Sequence, residues 1–168
     1  MSQTTTVAVA DGIFAITDGQ PRLLGSRCLG CNNHMFPRQN GCPKCMSGEQ
    51  EDVELATSGT LWTWTVQAFP PKAPPYLGPV GDAFEPYGVG YVELEGQVRV
   101  EARLTESDPN KLVIGMPMHL VVEPLCIDDD GNQVVTYAFA PTVSSQGTVS
   151  SQGTVSSQGT VSSQGVSS

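Results

Sequence analysis

The sequence predicts a mainly β chain: a small cysteine-bearing module, then a small β-barrel, then a low-complexity tail. Three observations carry that prediction. Two Cys-x-x-Cys pairs fall within the 18 residues Cys28 to Cys45. From about residue 53 onward, short runs of β-branched and aromatic residues are separated by turn signals, with no long amphipathic helix among them. From Thr142, the hexapeptide TVSSQG occurs four times in succession. The boundaries that follow are residues 1–50 for the lead-in and cysteine module, 51–141 for the barrel and 142–168 for the tail.

In chain order, GIFAITDGQPRLLGSR places apolar arms around Asp18-Gly19, a short hairpin or an extended lead-in. TLWTWTVQAF alternates strictly, which predicts a strand with Trp62, Trp64, Val66 and Ala68 on one face. YGVGYVEL and QVRVEARLTE form a hairpin about Glu95-Gly96. MHLVVEPLCI and QVVTYAFA form another about DDDGN, with Gly131 free to take a positive φ. ESDPNKLVIGMP, between the hairpins, has room for a short turn of helix. Residues 70–88 contain six prolines, which forbid a ladder strand or a helix. A stiff loop of that length, bearing Tyr76 and Phe84, suits a binding lid or an interface arm; the alternative is a surface loop that packs both rings back onto the barrel. One valine per six residues cannot bury a core, so the tail reads as flexible and solvated rather than as a β-helix.

Eight cations against 17 acidic residues give a net charge of −9, and all of it precedes the repeats. A body this acidic repels a phosphate backbone, which disfavours nucleic acid. No apolar run is long enough to span a bilayer, so the expectation is a soluble, cytoplasmic protein without a membrane partner. Four clustered cysteines and a lone Cys126 make a poor disulfide framework.

Cys28, Cys31, Cys42 and Cys45 have zinc-ribbon spacing. Each Cys-x-x-Cys turn can offer two sulfurs to one tetrahedral Zn²⁺. Gly30 is suited to the first turn and Pro43 stiffens the second, while Arg27, Arg38 and Lys44 can offset thiolate charge. Four sulfurs close the coordination shell, whereas catalytic zinc keeps a position open for water, so the ion is expected to be structural. His34 could replace a ligand, although the sulfurs suffice. His119 reads as a surface or partner-facing strand residue and Cys126 as a buried, inert thiol. Asp128 to Asp130 resemble part of a calcium loop but lack its spacing, and read as a solvated hairpin turn. No nucleophile, base and oxyanion site assembles from the sequence.

RLLGSRCLGCNNHMFPRQNGCPKC, SGTLWTWTVQ, PYGVGYVELEGQVRVEARLTE and LVIGMPMHLVVEP together resemble the zinc-ribbon/OB-fold family that accompanies thiolase-superfamily enzymes. The likeness spans about residues 14 to 141. It implies a rubredoxin-like zinc ribbon followed by a small OB-fold barrel. It also implies an accessory subunit, without activity alone, in a hetero-oligomer with a thiolase-like catalytic subunit. That partner would supply the reactive cysteine and act on an acyl-CoA by thiolysis, condensation or retro-aldol cleavage, in settings such as steroid or aromatic degradation. In that setting Arg38, Lys72 and Arg99 are candidate phosphate contacts of a CoA thioester, and Phe84 and Tyr87 candidate acyl or partner contacts. The lead-in is shorter than in many relatives, and the repeated tail has no counterpart there. The competing readings are a nucleic-acid-binding ribbon/OB module and a stand-alone acyl-CoA enzyme.

Overall fold

The computed structural model describes residues 5–142, so the tail reading lies outside the described residues from Val143 onward. The chain opens with β1 (Thr6–Ala8), then the hairpin of β2 (Phe14–Thr17) and β3 (Gln20–Cys28). Asp18 (φ 51°) and Gly19 (φ 74°) make its turn, with the two successive positive φ values that match hairpin twist. β3 also pairs antiparallel with β4 (His34–Met35) and β5 (Gln50–Glu54), completing a small sheet that carries the cysteines.

The barrel follows: β6 (Ser58–Gln67), β7 (Tyr87–Glu93), β8 (Arg99–Leu104), β9 (Pro117–Ile127) and β10 (Gln133–Pro141). β6 pairs with β7, β7 with β8, β8 with β10, β10 with β9, and β9 with β6, which closes the ring. All pairings in the ring are antiparallel except β8 with β10. This is the five-stranded OB arrangement, with β1 added in parallel outside β10.

Alternation explains the inner face. Val100, Ala102 and Leu104 of β8 are buried while Arg99 and Glu101 are exposed. On β7 the inward positions include Gly88 and Gly90. A side chain at Gly88 would strike the Glu106 carbonyl at 2.3 Å, so the neighbouring backbone needs glycine there. Strict alternation fails on β6. Leu61 opposes Val92 and Thr63 opposes Tyr91, so Trp62 is the extra residue of a β-bulge. Leu61 becomes the fully buried residue, Trp64 packs against the core, and Trp62 turns outward, 45% exposed. The single apolar face that the sequence suggests for Trp62 and Trp64 is split at this point.

The core is continuous across the two sheets. Phe14, Leu23 and Leu55 join Leu61, Leu104, Met118 and Phe139 in one buried cluster. Each such side chain contributes about 1.5–3 kcal/mol when fully buried. Residues 68–86 form an irregular loop whose only helical piece is a 3-10 turn, Gly81–Ala83. The 105–116 connection holds turns rather than a helix: Glu106 accepts the N–H groups of Ser107 and Asp108, and Asp108 accepts that of Asn110. Asp128 accepts the N–H groups of Asp130 and Asn132, and Gly131 (φ 82°) closes that hairpin turn, as the sequence suggests. No helix among the described residues is long and apolar enough to cross a membrane.

Candidate metal centre and binding groove

Two matching turns build the metal centre. After each Cys-x-x-Cys, the next residue is left-handed: Asn32 (φ 59°) and Met46 (φ 63°). Their N–H groups return to the carbonyls of Cys28 and Cys42, each at 2.9 Å. These are the residues that reverse the chain; Gly30 does not take a positive φ. The sulfurs of Cys28, Cys31, Cys42 and Cys45 all lie within 4.8 Å of one another. Cys28 Sγ is 3.5 Å from Cys45 Sγ, and Cys31 Sγ is 3.6 Å from Cys42 Sγ. A tetrahedron with Zn–S of about 2.3 Å sets its sulfurs about 3.8 Å apart, so the donor set fits one structural zinc.

The electrostatics agree. Burial pushes the Cys28 thiol up, but the N–H groups of Cys31 and Gly30 and the Cys45 thiol outweigh it and hold it at about 6. At Cys45 the Ser47 N–H favours the thiolate, yet the crowding by Cys31 and Cys28 pushes it up to about 12. Four sulfurs this close cannot all ionise without a cation among them. Two of the three cations that the sequence assigns to this charge are engaged elsewhere: Arg27 pairs with Glu51 and Arg38 with Asp52, both carboxylates on β5. His34 sits on β4, paired across from Arg27 and outside the cluster of sulfurs.

A second feature is an open groove of about 560 Å³ on the outer face of β7 and β8. Tyr87, Tyr91, Arg99 and Arg103 form its floor, and Phe36 and Tyr137 its far wall. Arg103 lies over the Tyr87 ring (3.8 Å to the centroid) and Arg99 over Trp62 (4.1 Å), both cation–π stacks. Arg103 Nε stands 3.5 Å from Glu123 Oε2, and both atoms are buried without a hydrogen-bond partner. Tyr91 donates to Glu101 (2.9 Å), which pushes its phenol up. Burial, and then Glu101, do the same at Tyr137. The O–H of Tyr137 is likewise committed, to the Glu101 carbonyl (3.2 Å), so these two phenols present oxygen lone pairs beside the guanidinium groups of Arg103 and Arg99, the latter paired with Glu93 (2.9 Å).

Of the five contact residues that the sequence singles out, Tyr87 and Arg99 line this groove. Phe84 stands edge-on to Tyr87, with ring centroids 6.1 Å apart. Arg38 is tied to Asp52, and Lys72 lies apart on the proline-rich loop. Arg103, Tyr91 and Tyr137 escape the sequence reading because strand pairing alone assembles them. The alternation Arg99-x-Glu101-x-Arg103 on β8 is the local signal that points to them. His119 is exposed, with Nδ1 3.3 Å from Thr142 Oγ1, and Cys126 is half-buried on β9 rather than enclosed.

Comparison with known proteins matches two family models: "ChsH2, rubredoxin-like zinc ribbon domain" over residues 19–51, and "ChsH2, C-terminal OB-fold domain" over residues 52–123. A DUF35 domain-containing scaffold protein of Pyrococcus furiosus is 32% identical over 127 residues, which cover 74% of this chain and 87% of the relative. The benzoylsuccinyl-CoA thiolase subunit BbsA of Thauera aromatica is 30% identical over 130 residues, 77% of this chain and 83% of BbsA. Among solved structures, a chain of the Ltp2-ChsH2(DUF35) aldolase matches with a TM-score of 0.52 at 32% identity, covering 73% of this chain and 86% of that one.

Proposed function

The chain belongs to the ChsH2-type family of DUF35 zinc-ribbon/OB-fold proteins, and from that premise we propose that it is a non-catalytic accessory subunit of a thiolase-superfamily complex. The observation that carries this reading is likeness through both modules, at 30% and 32% identity, to a thiolase subunit and to a chain of an aldolase complex. The partner performs thiolysis, condensation or retro-aldol cleavage of an acyl-CoA, in steroid or aromatic degradation. This chain braces the partner and contributes to the site where the thioester lies.

In this reading Cys28, Cys31, Cys42 and Cys45 hold one Zn²⁺, whose part is to cross-link the two turns. The core shared by the two sheets then passes that rigidity to the barrel. Tyr87 and Arg99, in the groove, contact the acyl-CoA or the partner together with Phe84. Arg38 and Lys72 are the outlying phosphate contacts. A net charge of −9 argues against the nucleic-acid alternative.

Co-expression with a candidate thiolase-superfamily enzyme of the same organism, with capture on this chain, tests the proposal. The expected product is a stable complex with about one zinc per chain, turning over acyl-CoA only when both subunits are present. A zinc-loaded chain that captures no such partner and instead shifts an oligonucleotide in a salt-dependent manner would overturn it.

A further inference from the structure

Asn40-Gly41 is the one Asn-Gly step in the chain, and it falls just before the metal ligand Cys42. Both residues are exposed and lie outside every strand. The backbone does not ask for glycine here. Gly41 takes no positive φ, and a side chain on it would meet only the Ser47 carbonyl, at 4.0 Å. What the glycine leaves is an unhindered amide nitrogen beside the Asn40 carboxamide. Among the described residues no acceptor holds the Gly41 N–H, whereas its neighbours are held: the Gln39 N–H by Ser26 Oγ (3.2 Å) and the Cys42 N–H by the Ser47 carbonyl (2.9 Å). The other asparagines lack this combination. After Asn110, the Lys111 N–H bonds the Asp108 carbonyl (3.0 Å); after Asn132, the Gln133 N–H bonds the Thr5 carbonyl (2.9 Å). Asn32 and Asn33 are each followed by a residue with a side chain that crowds its amide nitrogen.

We infer that Asn40 is a self-modification site, converting to aspartate and isoaspartate, and that the conversion loosens the ribbon's hold on its metal. The Gly41 nitrogen attacks the side-chain carbonyl carbon of Asn40. The displaced NH2 leaves as ammonia, taking the proton from the Gly41 nitrogen, and a succinimide ring closes. Water then opens the ring at either carbonyl. One opening leaves aspartate in an ordinary main chain; the other routes the main chain through the β-carbon, as isoaspartate. Water is the only co-reactant. The isoaspartyl product lengthens the main chain by one methylene, between two points fixed by the Gln39 and Cys42 N–H bonds, so the added length cannot spread along the loop. Cys42 is buried with Cys28 and Met35, and a shift there misaligns its sulfur with the other three. Both products also set a new carboxylate near four thiolates, in a chain already at −9. Groups that orient metal ligands govern affinity by about 10–100-fold. The inference rests on the four-sulfur centre and stands independently of any catalytic partner.

Ageing the zinc-loaded full chain for two weeks, warm, mildly alkaline and with a thiol reductant, tests it. Trypsin frees residues 39–44 as one peptide. That peptide is expected to give way to two isomers heavier by about one dalton, with the isoaspartyl form in excess. Zinc should pass from the aged chain to a chromogenic chelator about tenfold faster than from the fresh chain. Gly41→Ala, aged in parallel, keeps the peptide intact and releases zinc at the fresh rate. Because Gly41 is neither left-handed nor enclosed, the fold accommodates alanine. Asn40→Gln, whose longer side chain closes its ring far more slowly, gives the same result by a second route. A peptide still unmodified after ageing would overturn the site. A converted chain that yields zinc at the fresh rate would overturn its effect on the metal. Equal acceleration in both aged variants would overturn it too, and would assign the loss to another change.

Discussion

At Met46 the backbone lies at φ 63° while 85% of the side chain faces solvent, so little packing compensates the left-handed conformation. The equivalent position in the other turn holds Asn32, a residue that tolerates this region. Met46→Asn is therefore expected to stabilise the zinc-loaded chain by about 0.5–1 kcal/mol, read as a thermal midpoint higher by about 1–4 °C. A lower midpoint would mean that the methionine makes a contact the fold needs. The four sulfur ligands are legible in the sequence because their spacing is local. The two residues that reverse the chain are not, because neither is glycine and their φ is imposed by the N–H bonds back to Cys28 and Cys42.

Among the elements, the 105–116 connection shows how side chains can replace a predicted helical turn. Glu106 accepts the Asp108 N–H at 2.9 Å and the Ser107 N–H at 3.0 Å, and it pairs with Lys111 at 3.2 Å. The Asp108 N–H, followed by Lys111, holds its carboxyl below the ordinary range. A carboxylate depressed in the folded state stabilises above its unfolded pKa, near 4.5, and that contribution is lost as pH falls through the lower folded value. The stability gap between the native chain and Glu106→Gln should accordingly be full at about pH 6 and narrow toward about pH 3, as read by urea unfolding across that range. A gap independent of pH would show that Glu106 acts through shape alone. The strands themselves are legible from alternation and turn residues. Two exceptions are β6, where the bulge reverses the parity at Trp62, and the β9–β10 ladder, where the register shifts between Val134 and Val135 and both are buried.

Across the whole molecule, the shared core makes the metal centre and the barrel one cooperative unit. Phe14 and Leu23 of the first hairpin are buried with Phe139 and Met118 of the barrel, so loosening the ribbon exposes barrel core. Chelation of the metal, or Cys28→Ser, is expected to lower the unfolding free energy read from the entire β-sheet signal by several kcal/mol, in a single transition. A barrel transition that stays in place while the ribbon melts would separate the two. The groove, unlike the ribbon, joins the β7–β8 hairpin to Tyr137 of β10 and to Phe36, both distant from it in sequence, which is why only part of it could be read beforehand. The bulge in β6 has an optical consequence as well. The chain has two tryptophans, and the bulge separates their environments: Trp64 leans on the core, while Trp62 lies outside beneath the Arg99 guanidinium. Emission from Trp62 should respond to quenchers and to anything that displaces Arg99, whereas emission from Trp64 should follow unfolding. One chain thereby carries separate fluorescent reporters for its surface and its interior, two residues apart.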